Sequence, residues 1–157
     1  MIKIVLVSDN HGNKELLKNI RMLHYDADYY LCCGDFVMSD QDIKESGYLG
    51  VKGNCDYYAT SLPYEHFIEV LDHKIMLVHG HRFYDIYGDK KSLANYAKAH
   101  DCELVFYGHT HVFKDELVDG IRLINPGSVK YNKDFTNPSY AIIELDHKII
   151  KVIRKEV

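Results

Sequence analysis

The sequence contains no tryptophan, only three prolines and ten glycines, and no apolar run approaching the roughly 18 residues of a membrane-spanning helix. These shortages exclude a collagen-like chain, a low-complexity chain and a helical membrane span. Positive charge is also scarce, since 19 basic residues against 23 acidic ones leave −4 at pH 7. That balance provides no basic footprint for long nucleic acid, whose binding rests on neutralised phosphates. Met1-Ile2-Lys3 runs straight into a strand-like stretch, without the cationic, apolar and small-residue regions of a signal peptide. The expectation is a cytoplasmic domain that does not engage membranes. Four cysteines (Cys32, Cys33, Cys55 and Cys102) make no Cys-x-x-Cys pair, which argues against a disulfide framework or a zinc ribbon. Three of them read as small core residues, and Cys55 is the exception.

What is present suffices for one domain spanning residues 1–157. The chain is 46% hydrophobic and long enough to bury its own core. Ile2–Val7 is a strand-like run, and Asn13 is a plausible N-cap for a helix carrying Leu16, Leu17, Ile20 and Leu23. Tyr29–Cys33 is a second buried strand. This alternation in the first third of the chain points to βαβ crossovers and parallel pairing. Later segments read as hairpins, around Asp72-His73, Asp119-Gly120 and Asp146-His147. A helix is predicted over Asp89–Lys98 and a strand over Leu104–Tyr107. Mixed strands with three or four helices suggest two packed sheets covered by helices.

Five motifs rich in Asp, His or Asn each follow a predicted strand: Asp9-Asn10-His11, Gly34-Asp35, Gly53-Asn54-Cys55-Asp56, His79-Gly80-His81 and Gly108-His109-Thr110-His111. In α/β sheets the carboxyl ends of the strands line one crevice, so residues far apart in the chain can converge there. Each motif alone is ordinary turn chemistry. Together they hold five of the ten histidines, and turns have no particular use for imidazoles. Imidazole with carboxylate is the ligand set for Mn, Fe, Co, Ni or Zn. Two adjacent divalent sites need about seven or eight ligands. The motifs offer Asp9, His11, Asp35, Asn54, His79, His109 and His111, with Asp56 and His81 in reserve.

In their order, from Asp9-Asn10-His11 through Asn125-Pro126-Gly127-Ser128, these motifs resemble the calcineurin-like metallophosphoesterases. The likeness is greatest to the small single-domain phosphodiesterase branch, to which the Vps29-type retromer subunit is related. The resemblance implies an α/β fold in which two mixed β-sheets pack as a sandwich flanked by helices. It implies that Asp9, His11, Asp35 and His111 hold a first metal, and that Asp35 bridges to a second completed by Asn54, His79 and His109. The implied cofactors are two divalent transition-metal ions, Mn²⁺ foremost, with Ni²⁺, Fe²⁺, Co²⁺ or Zn²⁺ as the others. The implied activity is hydrolysis of a small phosphodiester by attack of a metal-bridging hydroxide on phosphorus. The alternative is a catalytically weak metal-site scaffold that binds partner proteins in the Vps29 manner.

One departure from the family bears on catalysis. Most of the wider family has His where this chain has Cys55, although the small single-domain branch commonly shows Cys, and that His is credited with protonating the leaving group or stabilising the transition state. A thiol, with an ordinary pKa of about 8.5, is a poorer proton donor at neutral pH. His81 either takes that role or supports a ligand or phosphate. The catalytic candidates are therefore Asp35, Asn54, Cys55 and His81. Asn125, Gly127 and Ser128 read as a loop that buttresses the site. Tyr57, Tyr58, Tyr84 and Tyr87 follow metal motifs and either line the cleft or pack at a sheet edge. His24, His66, His73, His100 and His147 are assigned to surfaces or hairpin turns, and the exposed edge of the final hairpin leaves room for a homodimer.

Overall fold

The first strand, β1 (Ile2–Val7), is an unbroken apolar run because both of its faces are covered. The computed structural model describes all residues 1–157. In one sheet β1 lies at the centre, parallel to β2 (Tyr29–Cys32), which is parallel to the edge strand β3 (Leu49–Gly50). On its other side β1 pairs antiparallel with β9 (Ser139–Leu145), which pairs with β10 (Ile150–Glu156). The second sheet runs in the order β4 (Glu65–Val70), β5 (His73–Val78), β6 (Leu104–Phe106), β8 (Ile121–Pro126) and β7 (Phe113–Val118). Its three central strands are parallel and its two outer pairings antiparallel.

Strand side chains alternate between two buried layers. Ile4 and Leu6 join Ile75, Leu77, Phe106, Ile124 and Ile143 between the sheets. Val5 and Val7 point the other way, to Leu17 and Ile20 of α1 (Lys14–Leu23) and Ile43 of α2 (Asp40–Ser46). Met76, Val78 and Val105 face Leu93, Ala94 and Ala97 of α3 (Lys91–Ala99). The molecule is thus a helix–sheet–sheet–helix sandwich, as expected. Each fully buried aliphatic side chain contributes about 1.5–3 kcal/mol. Asn13 caps α1 as predicted, its side chain accepting from Leu16 N at 3.1 Å. Cys32, Cys33 and Cys102 are buried, whereas Cys55 is half-exposed. No helix is long and apolar enough to cross a membrane.

The hairpins refine the sequence reading. Asp119 and Gly120 have φ of 49° and 83°, the left-handed pair that a type I′ turn requires. Val70 pairs with His73, so the preceding turn is Leu71-Asp72 and His73 is a strand residue. It is buried rather than on a surface turn, with Nδ1 2.6 Å from Glu103 Oε1 and Nε2 2.6 Å from the Asp146 carbonyl. His24 likewise reaches inward to Tyr140 Oη at 2.9 Å. The last hairpin loop is longer than two residues: Leu145 pairs with Ile150, and Asp146 Oδ1 accepts the N–H groups of Lys148 and Ile149. That side chain builds the turn, so the loop takes in all of 146–149.

Candidate metal centre

Beyond β1 and β2 the loops continue side by side. Asp9 N–H donates to Gly34 O, His11 N–H to Asp35 O and Gly12 N–H to Phe36 O, at 3.0, 3.1 and 2.7 Å. Asp9, His11, Asp35, His109 and His111 all have left-handed backbone, with φ from 42° at His11 to 69° at His109. Such conformations cost a non-glycine residue about 1–3 kcal/mol each and persist where the surroundings over-determine them. Two glycines make the close approach possible. A Cβ on Gly53 would strike the Asp35 carboxylate, and one on Gly108 would strike Ser8 Oγ and lie 2.9 Å from Asp9 Oδ2.

Each acidic side chain has one oxygen tied and one left inward. Asp9 Oδ2 accepts from Ser8 Oγ at 2.6 Å and from His109 N at 3.1 Å, while its Oδ1 is buried without a donor. Asp35 Oδ1 accepts from Cys55 N at 2.8 Å. Its Oδ2 lies 3.7 Å from His11 Nε2 and 3.4 Å from His79 Nε2.

The imidazoles are oriented from behind. His79 Nδ1 donates to Cys33 O at 2.7 Å and His111 Nδ1 to Tyr131 O at 3.1 Å, so both present a lone pair on Nε2. His111 Nε2 lies 3.2 Å from Asp9 Oδ1, and His11 Nε2 lies 3.9 Å from it. Asn54 Oδ1 lies 3.0 Å from both His79 Nε2 and His109 Nδ1. All seven residues are brought together, and Asp35 Oδ2 stands between the His11 and His79 sides. The inward atoms are acceptors facing acceptors, an arrangement that needs a proton or a cation between them. The buried, unpartnered Asp9 Oδ1 and His11 Nε2 fit divalent cations on that ground.

Charge in the cluster follows the same geometry. Burial opposes ionisation of Asp35, but His79 and the Cys55 N–H outweigh it and hold the carboxyl well below its usual range. Burial lowers His79, yet Asp35 and Asp9 prevail and raise it. His109 is pushed down to about 4, by burial first and then by His79. Burial and the neighbouring Asp35 carboxylate raise the Cys55 thiol.

The two reserve residues separate. Asp56 is buried and both its oxygens are taken, by the N–H groups of Gly53, Asp35 and Val37 at 2.7–2.9 Å. It shapes the loop and has no oxygen free for a metal. His81 lies beside the cluster, its ring 5.4 Å from that of His79, with Nδ1 buried and unpartnered. Cys55 Sγ is within 4.8 Å of ligand atoms of His11 and Asp35. Asn125 Nδ2 holds Gly108 O and Thr110 Oγ1 at 3.0 Å, and Ser128 Oγ holds Asp9 O at 2.9 Å. Both are fully buried, so they support the loops from behind. Of the four tyrosines, Tyr87 approaches His109 with ring centroids 5.6 Å apart. Tyr57, Tyr58 and Tyr84 are largely exposed. Sequence reasoning missed Ser8, whose only signal is its place beside Asp9. It also missed the Cys33 and Tyr131 carbonyls, which no residue type announces.

Comparison with known proteins agrees with this geometry. Residues 2–148 match the family model described as the calcineurin-like phosphoesterase superfamily domain. The Bacillus subtilis protein described as probable metallophosphoesterase YsnB is 31% identical over 150 residues, covering 93% of this chain and 86% of that one. Among solved structures, a predicted phosphoesterase from Streptococcus pneumoniae superposes with a TM-score of 0.87 and 28% identity, covering 98% of this chain and 88% of its own. A structure described as a novel archaeal phosphodiesterase gives a TM-score of 0.74 and 25% identity, over 98% of this chain and 100% of that one. A centre of carboxylates and imidazoles at the strand ends of a two-sheet sandwich, together with these matches, shows that the chain belongs to the calcineurin-like phosphoesterase superfamily.

Proposed function

We propose that this chain is a metal-dependent phosphodiesterase acting on a small phosphodiester, with two divalent cations in the centre. The observation that carries the reading is the set of converging acceptors, above all the donorless, fully buried Asp9 Oδ1 beside His111 and His11. One cation would be held by Asp9, His11, Asp35 and His111, and the other by Asp35, Asn54, His79 and His109. Mn²⁺ suits this mixed nitrogen and oxygen set, as do Fe²⁺, Co²⁺, Ni²⁺ and Zn²⁺. Bound cations of this kind supply a nucleophilic water near neutral pH and offset charge on the phosphoryl oxygens.

The protein's own part is positional. Asp35 turns one oxygen to both halves of the centre, while Cys55 N–H fixes the other. Cys55 and His81 lie beside the cluster and are the candidates to protonate a departing ester oxygen; His81 has an unpartnered ring nitrogen. The archaeal phosphodiesterase of the same fold supports the choice of diesters over monoesters.

Hydrolysis of bis-p-nitrophenyl phosphate by chelator-stripped protein, with and without Mn²⁺, tests the reading. Metal-dependent turnover that is lost in Asp35→Ala is the expected result. Metal binding without turnover in Mn²⁺, Ni²⁺, Co²⁺ or Fe²⁺ would sink the enzyme reading and leave a metal-site scaffold in its place.

A further inference from the structure

A cavity of about 520 Å³ opens beside the centre, between the chain entering β4 and the end of β5. His79 and His81 line it, so cavity and centre share a wall. Its size lies within the roughly 300–1,000 Å³ range of small-ligand pockets. Tyr64 and Arg82 line it as well, with the Arg82 guanidinium 4.4 Å over the Tyr64 ring centroid. Arg82 is exposed and has no ion pair, and Tyr64 is half-exposed. Among the other lining residues, Tyr96 Oη donates to Glu65 Oε1 at 2.9 Å, which leaves Glu65 Oε2 free to accept. His81 Nδ1 is buried with no partner, and its ring centroid is 6.1 Å from that of Tyr64.

These features narrow the occupant. A second phosphate would find Arg82 but would also meet the Glu65 carboxylate. A bare alkyl ester would displace water from Glu65 and His81 and leave them unpaired, which is costly. A nucleobase has a flat face to set against the Tyr64 ring or the Arg82 guanidinium, and an edge carrying both donors and acceptors. We propose that this cavity is the subsite for a nucleoside ester group, so that the substrates are nucleotide phosphodiesters. This rests on the phosphodiesterase reading above.

Two measurements on the metal-loaded protein test it. The first compares kcat/KM for thymidine 5′-(p-nitrophenyl phosphate) and methyl p-nitrophenyl phosphate, two diesters with the same leaving group. The nucleoside diester is expected to be preferred on the order of tenfold, the scale of one stacked base. In Arg82→Ala and Tyr64→Ala that ratio falls towards one. The second measures calorimetric binding of thymidine 5′-monophosphate and methyl phosphate, where the same preference is expected without turnover. Equal kcat/KM values, equal affinities, or a wild-type ratio retained in both variants would overturn the subsite. Absence of turnover with either diester would overturn the phosphodiesterase reading instead, and the binding preference would then show whether the nucleoside subsite stands without it.

Discussion

A single residue bears most directly on the proposed chemistry. Cys55 stands where the resemblance to the wider family leads one to expect His. Its backbone N–H braces Asp35, while its thiol, raised by burial and by Asp35, is a weak proton donor at neutral pH. Turnover should therefore depend on a good leaving group. Cys55→His is expected to speed hydrolysis of diesters with alkyl leaving groups by about 10²-fold or more, with p-nitrophenyl esters changing far less. Steady-state rates across a leaving-group series measure this, and unchanged rates on both classes would refute it. Asp56 makes the complementary point. An Asp two residues beyond Asn54 reads as a spare ligand, yet three backbone N–H groups consume its carboxylate.

At the scale of elements, the loops between strands hold the centre, and helix caps hold the loops. Ser39 Oγ caps α2 by accepting from Asp42 N at 3.1 Å. The next residue, Asp40, accepts from the backbone and hydroxyl groups of both Thr60 and Ser61. It thereby ties α2 to the segment that leads into β4. Those donors hold the Asp40 carboxyl below its usual range. A depressed carboxylate stabilises the fold above its unfolded pKa of about 3.9 and loses that contribution as pH falls through the lower folded value. Asp40→Asn should accordingly lower Tm at pH 7, and the gap from wild type should close in acid. A gap that stays constant from pH 7 down to 3 would show that Asp40 gains nothing from its charge.

Across the whole molecule, the two sheets are joined at the end opposite the centre by His73, which begins β5 and contacts Glu103 and the β9–β10 loop. Burial lowers its pKa, but the Asp146 carbonyl and the Glu103 carboxylate outweigh that and raise it. Only the protonated ring donates from both nitrogens. A raised pKa stabilises the fold fully below the unfolded value of about 6.5 and ceases to do so as pH climbs through the folded value. The Tm difference between wild type and His73→Gln should be largest near pH 6 and shrink towards pH 9; a pH-independent difference would contradict a charged bridge. A metal that binds only the native state would act on the whole fold as well. At a hundredfold excess over Kd, Mn²⁺ should stabilise by about 2.7 kcal/mol, a rise in Tm of about 5–10 °C over the chelated protein. Thermal melts that do not move with any of the divalent transition metals would overturn the proposed ligand set.

The sequence by itself determined the layered α/β class, because strands covered on both faces read as unbroken apolar runs and parallel pairs need helical crossovers. It also determined which residue types gather at the candidate centre, because each motif sits at a strand end where the chain must turn towards one shared crevice. Tertiary structure alone decided which atoms face the centre. The Cys33 and Tyr131 carbonyls that aim His79 and His111 carry no residue signature, and the split of the Asp9 carboxylate depends on Ser8 and on a residue 100 positions away. It likewise moved His73 from a turn into the core, since a one-residue change of register turns a strand's side chains to the opposite face. The meeting of Tyr64 and Arg82 beside the centre has the same origin, in that residues just before β4 and just after β5 come together only once the pairing of those strands is set.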